Sequence, residues 1–303
     1  VIEAPDVETI TLPGLVPNAT NGEKVAYVPL DNRPVHKDRV IYQAAAAGID
    51  LEMPSEADYA TVLTDGYEHG GNPANILAWL EAQEEAGVDY YVIALDQVFS
   101  GGLVASREGS ACTTADGSLS DHDKAAVKFL VQLAKENYVV YTDTIIRLAM
   151  TTSGYIDYGP DDDRYYALRN YGISAREQLG ATGNHALTLD NVISAYRYGA
   201  DGVSAVAYTT NGDYTVGEDE LDALLNARER KLRIADALIR GAGDNINRLI
   251  IGLDDTNAVY HNIQSNERAY IEKLAADCEM NNMFTIAGCD EMGLMGIASL
   301  VND

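Results

Sequence analysis

Acidic residues follow the ends of several hydrophobic runs, and their types are suited to acid–base chemistry. One run ends at Asp254 and Asp255, and a later run is followed by Asp290 and Glu291. Two neighbouring carboxylates shift each other's pKa apart, so that one can act as an acid and the other as a base. If both pairs face one crevice, they match the two-carboxylate arrangement of glycoside hydrolysis. Either pair could instead form a solvated turn or stabilise the N-terminus of a following helix.

Polar residues also follow two earlier hydrophobic runs. Asp31, Asn32 and Arg33 come after the first run, and Asp96 comes after the run at 90–95. The planar guanidinium of an arginine can bind a carboxylate or a pair of sugar hydroxyls through two donors. Arg33 could equally hold Asp31 in a structural ion pair. We expect these four residues to contact a substrate.

The segment after Asp96 contains Gly101, Gly102 and Arg107. A glycine pair permits a ligand to approach the backbone closely, or simply forms a tight turn. The glycines do not match the phosphate-loop or dinucleotide patterns, so we expect no nucleotide cofactor. His261 closely follows the acidic pair and is a further binding candidate. We interpret the remaining histidines as surface or structural residues: His36, His69, His122 and His185.

Composition excludes some classes of partner. The 303 residues carry a formal net charge of −26, which disfavours nucleic acid and anionic membrane surfaces. No apolar stretch approaches the roughly 20 residues that span a bilayer, and no zinc-binding pattern of His and Cys occurs. The chain begins at Val1 with an extended segment over 1–23, which favours a secreted or cell-surface protein over the cytoplasmic alternative. Three cysteines, Cys112, Cys278 and Cys289, are too few for a disulfide framework.

Short apolar runs alternate with segments of helical periodicity, which predicts parallel βα units. The predicted strands lie at 24–30, 49–53, 90–95, 138–142, 203–207, 248–253 and 283–287. The predicted helices lie at 36–47, 73–86, 121–136, 164–179, 188–198, 218–241, 266–278 and 293–301, and a loop is predicted over 55–71.

The predicted elements indicate one α/β domain over 24–303, which we expect to continue beyond residue 303 in the full-length protein. About seven parallel strands favour a (β/α) barrel-like fold, an incomplete TIM barrel. An open doubly wound parallel sheet is the alternative. In both architectures ligands bind at the carboxyl ends of the strands, where the acidic residues lie.

Four ordered motifs resemble a known family. They are LDNRP at 30–34, the Asp96 to Arg107 segment ending in SGGLVASR, GLDD at 252–255 with Glu267 downstream, and GCDE at 288–291. The bacterial family called domain of unknown function 4127 carries LDxRP, D…YGGLxSR, QDD and a late DE pair in this order. Leu253 stands where the family has Gln, Phe99-Ser100 where an aromatic such as Tyr precedes the glycines, and Val35-His36 where Asn is common. The resemblance supports this site map and implies no reaction.

These observations favour a carbohydrate-active hydrolase without a cofactor. One member of each acidic pair would supply the acid and the base or nucleophile. The residues expected to bind a small-molecule or glycan substrate are Asp31, Asn32, Arg33, Asp96, Gly101, Gly102, Arg107 and His261. A hydrolase that binds Mg²⁺ or Ca²⁺ through clustered carboxylates is one alternative. A non-catalytic, glycan-binding surface protein is another. All three hypotheses require that loops distant in the sequence meet around one cavity.

Overall fold

A six-stranded parallel β-sheet forms the centre of the molecule. The computed structural model describes residues 24–64, 67–107, 114–148, 161–198, 210–254 and 261–302. The predicted segment 1–23, the predicted strand 203–207 and the candidate residue Asp255 lie outside these ranges.

The helices and strands of the described residues alternate for most of the chain. In order they are β1 (Lys24–Val28), α1 (Asp38–Ala47), β2 (Asp50–Glu52), β3 (Thr61–Thr64), β4 (Tyr67–His69), α2 (Pro73–Glu85), β5 (Tyr90–Ala94), α3 (Leu95–Ser100), α4 (Leu103–Arg107), α5 (Asp121–Glu136), β6 (Tyr138–Ile145), α6 (Asp161–Ile173), α7 (Leu189–Ala195), β7 (Thr210–Asn211), β8 (Tyr214–Thr215), α8 (Glu218–Ala242), β9 (Arg248–Leu253), α9 (Ile263–Asp277), β10 (Met283–Ala287) and α10 (Met292–Asn302). A short 3₁₀ turn, Gly243–Asn245, follows α8. None of the described helices is long and apolar enough to cross a membrane.

The sheet is open in the described residues, with strand order β10-β9-β6-β5-β1-β2 and every neighbour parallel. The chain places β2 on one side of β1 and then returns to place β5 on the other side. Helices α1 and α10 cover one face, while α2, α5, α8 and α9 pack on the opposite face. A barrel would instead place all of its helices outside a closed sheet. The predicted barrel is therefore not found, and the described strands fit the open doubly wound alternative.

Burial on both faces explains why the strands read as unbroken apolar runs. In β1, Val25 and Tyr27 pack towards α1 and α10, while Ala26 and Val28 pack towards the other helix layer. Helices α2, α5 and α9 begin at side-chain caps. In α5, Ser120 accepts a hydrogen bond from the Asp123 N–H, and the Asp123 carboxylate accepts one from the Ser120 N–H.

Three local predictions needed correction. Strand β6 continues to Ile145, so Asp143 lies within the strand and not at its end. Two short helices, α3 and α4, follow β5 directly where no helix was predicted. The predicted loop at 55–71 contains the antiparallel pair of β3 and β4.

Strand β6 continues past the predicted end because the buried Lys231 ammonium compensates the charge of the Asp143 carboxylate. Hydrophobicity alone does not predict this ion pair.

A close backbone approach positions the turn between β10 and α10. The Gly288 N–H donates to the Leu253 carbonyl at the end of β9, at 2.9 Å. A Cβ on Gly252 would lie 2.7 Å from the Gly288 oxygen and 2.8 Å from the Met292 sulfur. The absence of a side chain at Gly252 therefore lets the turn that carries Asp290 cross the end of β9.

Replacing Gly252 by alanine should destabilise the fold by about 1–3 kcal/mol, because the new methyl group overlaps backbone atoms that cannot rotate away. Urea unfolding measures this change. Gly70→Ala is the matched control, since a Cβ there meets Ala105 and Gly101 only at 3.7–3.8 Å. Equal stability of the two variants would show that the turn does not need the close approach.

Candidate functional site

The candidate site lies at the carboxyl edge of the sheet, where the strand order reverses between β1 and β5. Open α/β sheets bind ligands outside the strand ends at such a reversal. The segment after β1 carries Asp31 and Arg33, and the segment after β5 leads to Arg107. The turns after β9 and β10 carry Asp254 and Asp290 to the same edge, as the following contacts show.

Arg33 joins the segment after β1 to the turn after β10. Its backbone N–H donates to Asp31 Oδ1 at 2.9 Å, and its Nε lies 3.0–3.1 Å from both oxygens of that buried carboxylate. Its Nη1 lies 3.3 Å from Asp290 Oδ1. These strands are not neighbours in the sheet. The contact forms because α10 begins against β1: a Cβ on Gly293 would lie 2.5 Å from the Tyr27 hydroxyl.

His36 completes this group, although the sequence indicated only a structural role for it. Its Nε2 lies 2.8 Å from Arg33 Nη2, 3.4 Å from Asp290 Oδ1 and 3.9 Å from Asp31 Oδ2. The His36 side chain is 1% exposed, whereas that of Asp290 is 51% exposed. Asp290 is therefore the member of this group that is most open to solvent, and His36 lies behind it.

The neighbours of Asp290 keep it ionised. The hydrogen bond from His36 is the largest cause of its lowered pKa, and the charges of Arg33 and Arg107 add to it against the effect of partial burial. Glu291, its neighbour in the predicted acidic pair, is exposed, and its carbonyl accepts the Met295 N–H in the first turn of α10. The two members of this pair thus differ sharply in environment.

Asp254 lies buried between two arginines. Arg107 Nε approaches Asp254 Oδ2 to 2.7 Å, and the Arg147 backbone N–H donates to the same oxygen at 3.2 Å. The Arg147 Nε lies 3.8 Å from that oxygen. Gln264 Nε2 donates to the Asp254 carbonyl at 3.0 Å. Sequence reasoning missed Arg147 because it lies beyond β6, with no acidic motif beside it.

Cys289 connects the two groups. Burial raises the pKa of its thiol to about 12; the charges of Asp254 and Asp290 add to this shift, and those of Arg107 and Arg33 oppose it. The thiol therefore stays protonated at neutral pH and is within electrostatic range of both ion-pair groups. We call the combined set the crevice cluster: Asp31, Arg33, His36, Arg107, Arg147, Asp254, Cys289 and Asp290.

Asp96 belongs to a separate buried group. Lys231 Nζ of α8 lies 2.5 Å from Asp96 Oδ1 and 2.7 Å from Asp143 Oδ1. The Thr144 hydroxyl donates to Asp96 Oδ1 at 2.9 Å, while Asp96 Oδ2 has no hydrogen-bond partner among the described residues. Two carboxylates thus share one ammonium, and Asp96 faces α8 instead of joining the crevice cluster.

This shared charge perturbs both partners. Burial raises the pKa of Asp143 to about 6; the charge of Asp96 adds to this shift, and Lys231 opposes it. Burial acts to lower the pKa of Lys231, but Asp143 and Asp96 together raise it above its ordinary value. A cavity of about 20 Å³ adjoins the group, with Arg228 in its lining, and can hold roughly one water molecule.

Two further cations of α8 hold the surrounding loops. Arg230 is bound to both oxygens of Asp123 in α5, and its Nη1 donates to the Ser100 hydroxyl at 2.9 Å. Arg228 forms a two-point ion pair with Glu267 of α9 and donates to the Arg147 carbonyl at 2.7 Å. Helix α8 therefore holds the segments that follow β5 and β6 in place.

The remaining candidates are the glycine pair, His261 and Asn32. The Gly71 N–H donates to the Gly101 carbonyl at 2.7 Å, and a Cβ on Gly102 would lie 2.5 Å from the Ala60 methyl. The glycine pair thus packs against the protein's own chain, as a tight turn requires, and ligand contact there stays a prediction. His261 Nε2 lies 2.7 Å from Asn266 Oδ1.

The segment containing Asn32 is anchored to the same turn, since the Asn32 N–H donates to the Ala60 carbonyl at 3.0 Å. In the described part of the chain, no group of three or more His, Cys, Asp or Glu side chains could hold a metal ion. Cys278 and Cys289 both carry free thiols. Ion pairs between carboxylates and guanidinium groups lie at this edge.

The family model described as protein of unknown function (DUF4127) matches residues 25–190, more than half of the chain. The chain belongs to the DUF4127 family. The family resemblance of the sequence motifs is thereby confirmed. The match covers the DUF4127 motifs after β1 and β5 and ends before those after β9 and β10, which the fold brings to the same edge. No curated protein matches the chain.

Lys231→Met should destabilise the protein by about 3–5 kcal/mol, because it leaves two buried carboxylates without a cation. Thermal or urea unfolding measures the loss. Lys273→Met is the matched control: Lys273 pairs with Asp277 on the surface of α9, and both side chains are about half exposed. That change should stay within about 0.5 kcal/mol. Similar losses in both variants would contradict the buried ion-pair interpretation.

Asp143→Asn should change how stability depends on pH. The folded-state pKa of Asp143, about 6, lies above the ordinary value of 3.8, so its stabilising contribution is present below pH 3.8 and is lost as the pH rises through 6. Relative to the wild type, the variant should therefore gain on the order of 2 kcal/mol between pH 4 and pH 7. Urea unfolding curves at several pH values measure this gain in stability. Asp277→Asn, at an exposed position, is the control. Parallel pH profiles of stability for the wild type and Asp143→Asn would contradict the raised pKa of Asp143.

Proposed function

We propose that the chain is a carbohydrate-active hydrolase that cleaves a glycosidic bond at the crevice cluster and acts outside the cell. The main support is the meeting of segments that follow β1, β5, β9 and β10 at one sheet edge, with Arg33 in contact with Asp290 and Arg107 with Asp254. Ligands of open α/β sheets bind at this edge. Carboxylates and guanidinium groups are also well suited to binding sugar hydroxyls.

In this proposal Asp290 is the base or the nucleophile. Its carboxyl group is half exposed, so a substrate can reach it, and its pKa lies below the ordinary value because His36 and Arg33 stabilise the ionised form. An ionised carboxylate can take a proton from water or attack the anomeric carbon, whereas a general acid must begin protonated. Glu291 is exposed, whereas Asp290 contacts both Arg33 and His36, so Asp290 is the better candidate of the pair.

The acid role falls to the other acidic pair. Asp254 is already engaged by Arg107 and Arg147, so we assign it to positioning those two side chains. We assign the acid to Asp255 from its place in the sequence motif. Arg33 and Arg107 would recognise a carboxylated or N-acetylated sugar, since arginine forks bind carboxylate and carbonyl oxygens well.

Asp290→Asn should lower hydrolysis by about 10²- to 10⁴-fold, the usual loss when an acid–base group is removed. Aryl-glycosides of neutral, N-acetylated and uronic sugars form the assay panel. Asp277→Asn removes a surface carboxylate of α9 and is the matched control, with activity expected unchanged.

Three outcomes of this assay would count against the proposal. Loss of activity in Glu291→Gln together with full activity in Asp290→Asn would reverse the assignment within the pair. Tight sugar binding without turnover over long incubation would indicate a non-catalytic binding protein. Neither binding nor turnover with any glycan would remove the carbohydrate proposal altogether.

A further inference from the structure

One nitrogen of His36 lies between two groups that require it in opposite protonation states. Its Nε2 is 2.8 Å from Arg33 Nη2, which can only donate a hydrogen bond, and 3.4 Å from Asp290 Oδ1, which as a carboxylate can only accept one. Without a proton, Nε2 accepts from Arg33; with a proton, it donates to Asp290. A single nitrogen cannot do both at once, so its protonation selects one of two arrangements.

The surroundings of the ring restrict how it can respond. The charged groups that face it are Arg33 and Asp31 from the segment after β1 and Asp290 from the turn after β10. The Tyr27 hydroxyl of β1 donates to the His36 carbonyl at 2.5 Å and fixes the backbone. The ring is almost fully buried, so a change of protonation must be answered by movement of the arginine and carboxylate groups beside it.

We propose that His36 is a positioning residue whose protonation switches the crevice cluster between two hydrogen-bonded states. In the unprotonated state, Nε2 accepts a hydrogen bond from an N–H of Arg33 and cannot donate one to Asp290. In the protonated state, it donates to Asp290 and repels Arg33, which frees that N–H for an oxygen of an anionic ligand. The proton comes from solvent and returns to it, and no other bond forms or breaks.

This inference deepens the proposed function, because it makes recognition of an acidic sugar dependent on pH. Imidazole groups change charge between about pH 5 and pH 8, the range in which proteins use them as switches. The protonated state adds a positive charge and an available arginine donor to the crevice. An anionic ligand should therefore bind more tightly at the acidic end of this range than at the basic end.

The test needs no substrate, so its result is independent of any assay for hydrolysis. In the full chain labelled with ¹⁵N-histidine, the nitrogen resonances of His36 should report two protonation states of Nε2 across a pH series. Carboxyl ¹³C titration should show that His36→Phe raises the pKa of Asp290, because the largest cause of its lowering is gone. His36→Gln keeps a neutral N–H donor and should give a smaller rise.

His185→Phe is the matched control, since His185 is 75% exposed and pairs with Glu177 at 2.8 Å, apart from the crevice cluster. The pKa of Asp290 should not change in that variant. An unchanged pKa of Asp290 in His36→Phe would overturn the proposal. If His36→Phe does not fold, the wild-type nitrogen resonances decide: one fixed protonation state of Nε2 from pH 5 to pH 8 would also overturn it.

Discussion

The ion pairs of three buried cations of α8 are the interactions on which the carboxyl edge of the sheet depends. Arg228, Arg230 and Lys231 bind partners in α9, α5, α3 and β6, and each has its charge matched by buried carboxylates. Removing one partner from such a pair leaves an uncompensated charge in a medium of low polarity, which costs several kcal/mol. The loops after β5 and β6 are therefore held by a helix that lies about 80–130 residues away in the sequence.

The same network links stability to the candidate site. Arg228 holds the Arg147 carbonyl, and the Arg147 backbone N–H in turn binds the Asp254 carboxylate. The site is thus supported through backbone atoms, which do not relax by rotating as side chains do. In contrast, Asp290 is held by the side chains of Arg33 and His36 and is half exposed. The buried Cys289 thiol lies within electrostatic range of both halves.

Much of the local structure could be predicted from the sequence. Helix α5 and strands β9 and β10 lie at the predicted residues, because apolar periodicity, end caps and turn residues act over short distances. The prediction that distant acidic segments meet at one edge is supported for Asp31, Asp254 and Asp290, with Arg33 and Arg107 beside them. Asp96 also follows a strand end, but its carboxylate contacts Lys231 of α8.

The sequence by itself determined most of the central strands and flanking helices, but not α3, α4, β3 or β4, and it determined membership of DUF4127. Only the tertiary structure decided the strand order, the meeting of Arg33 with Asp290, the inclusion of His36 and the burial of Asp143 beside Lys231. The hydrophobic pattern indicates which segments form strands and helices, because periodicity acts over short distances. It does not indicate the partner of a buried charge, because the partner depends on where helices α8 and α10 pack against the sheet.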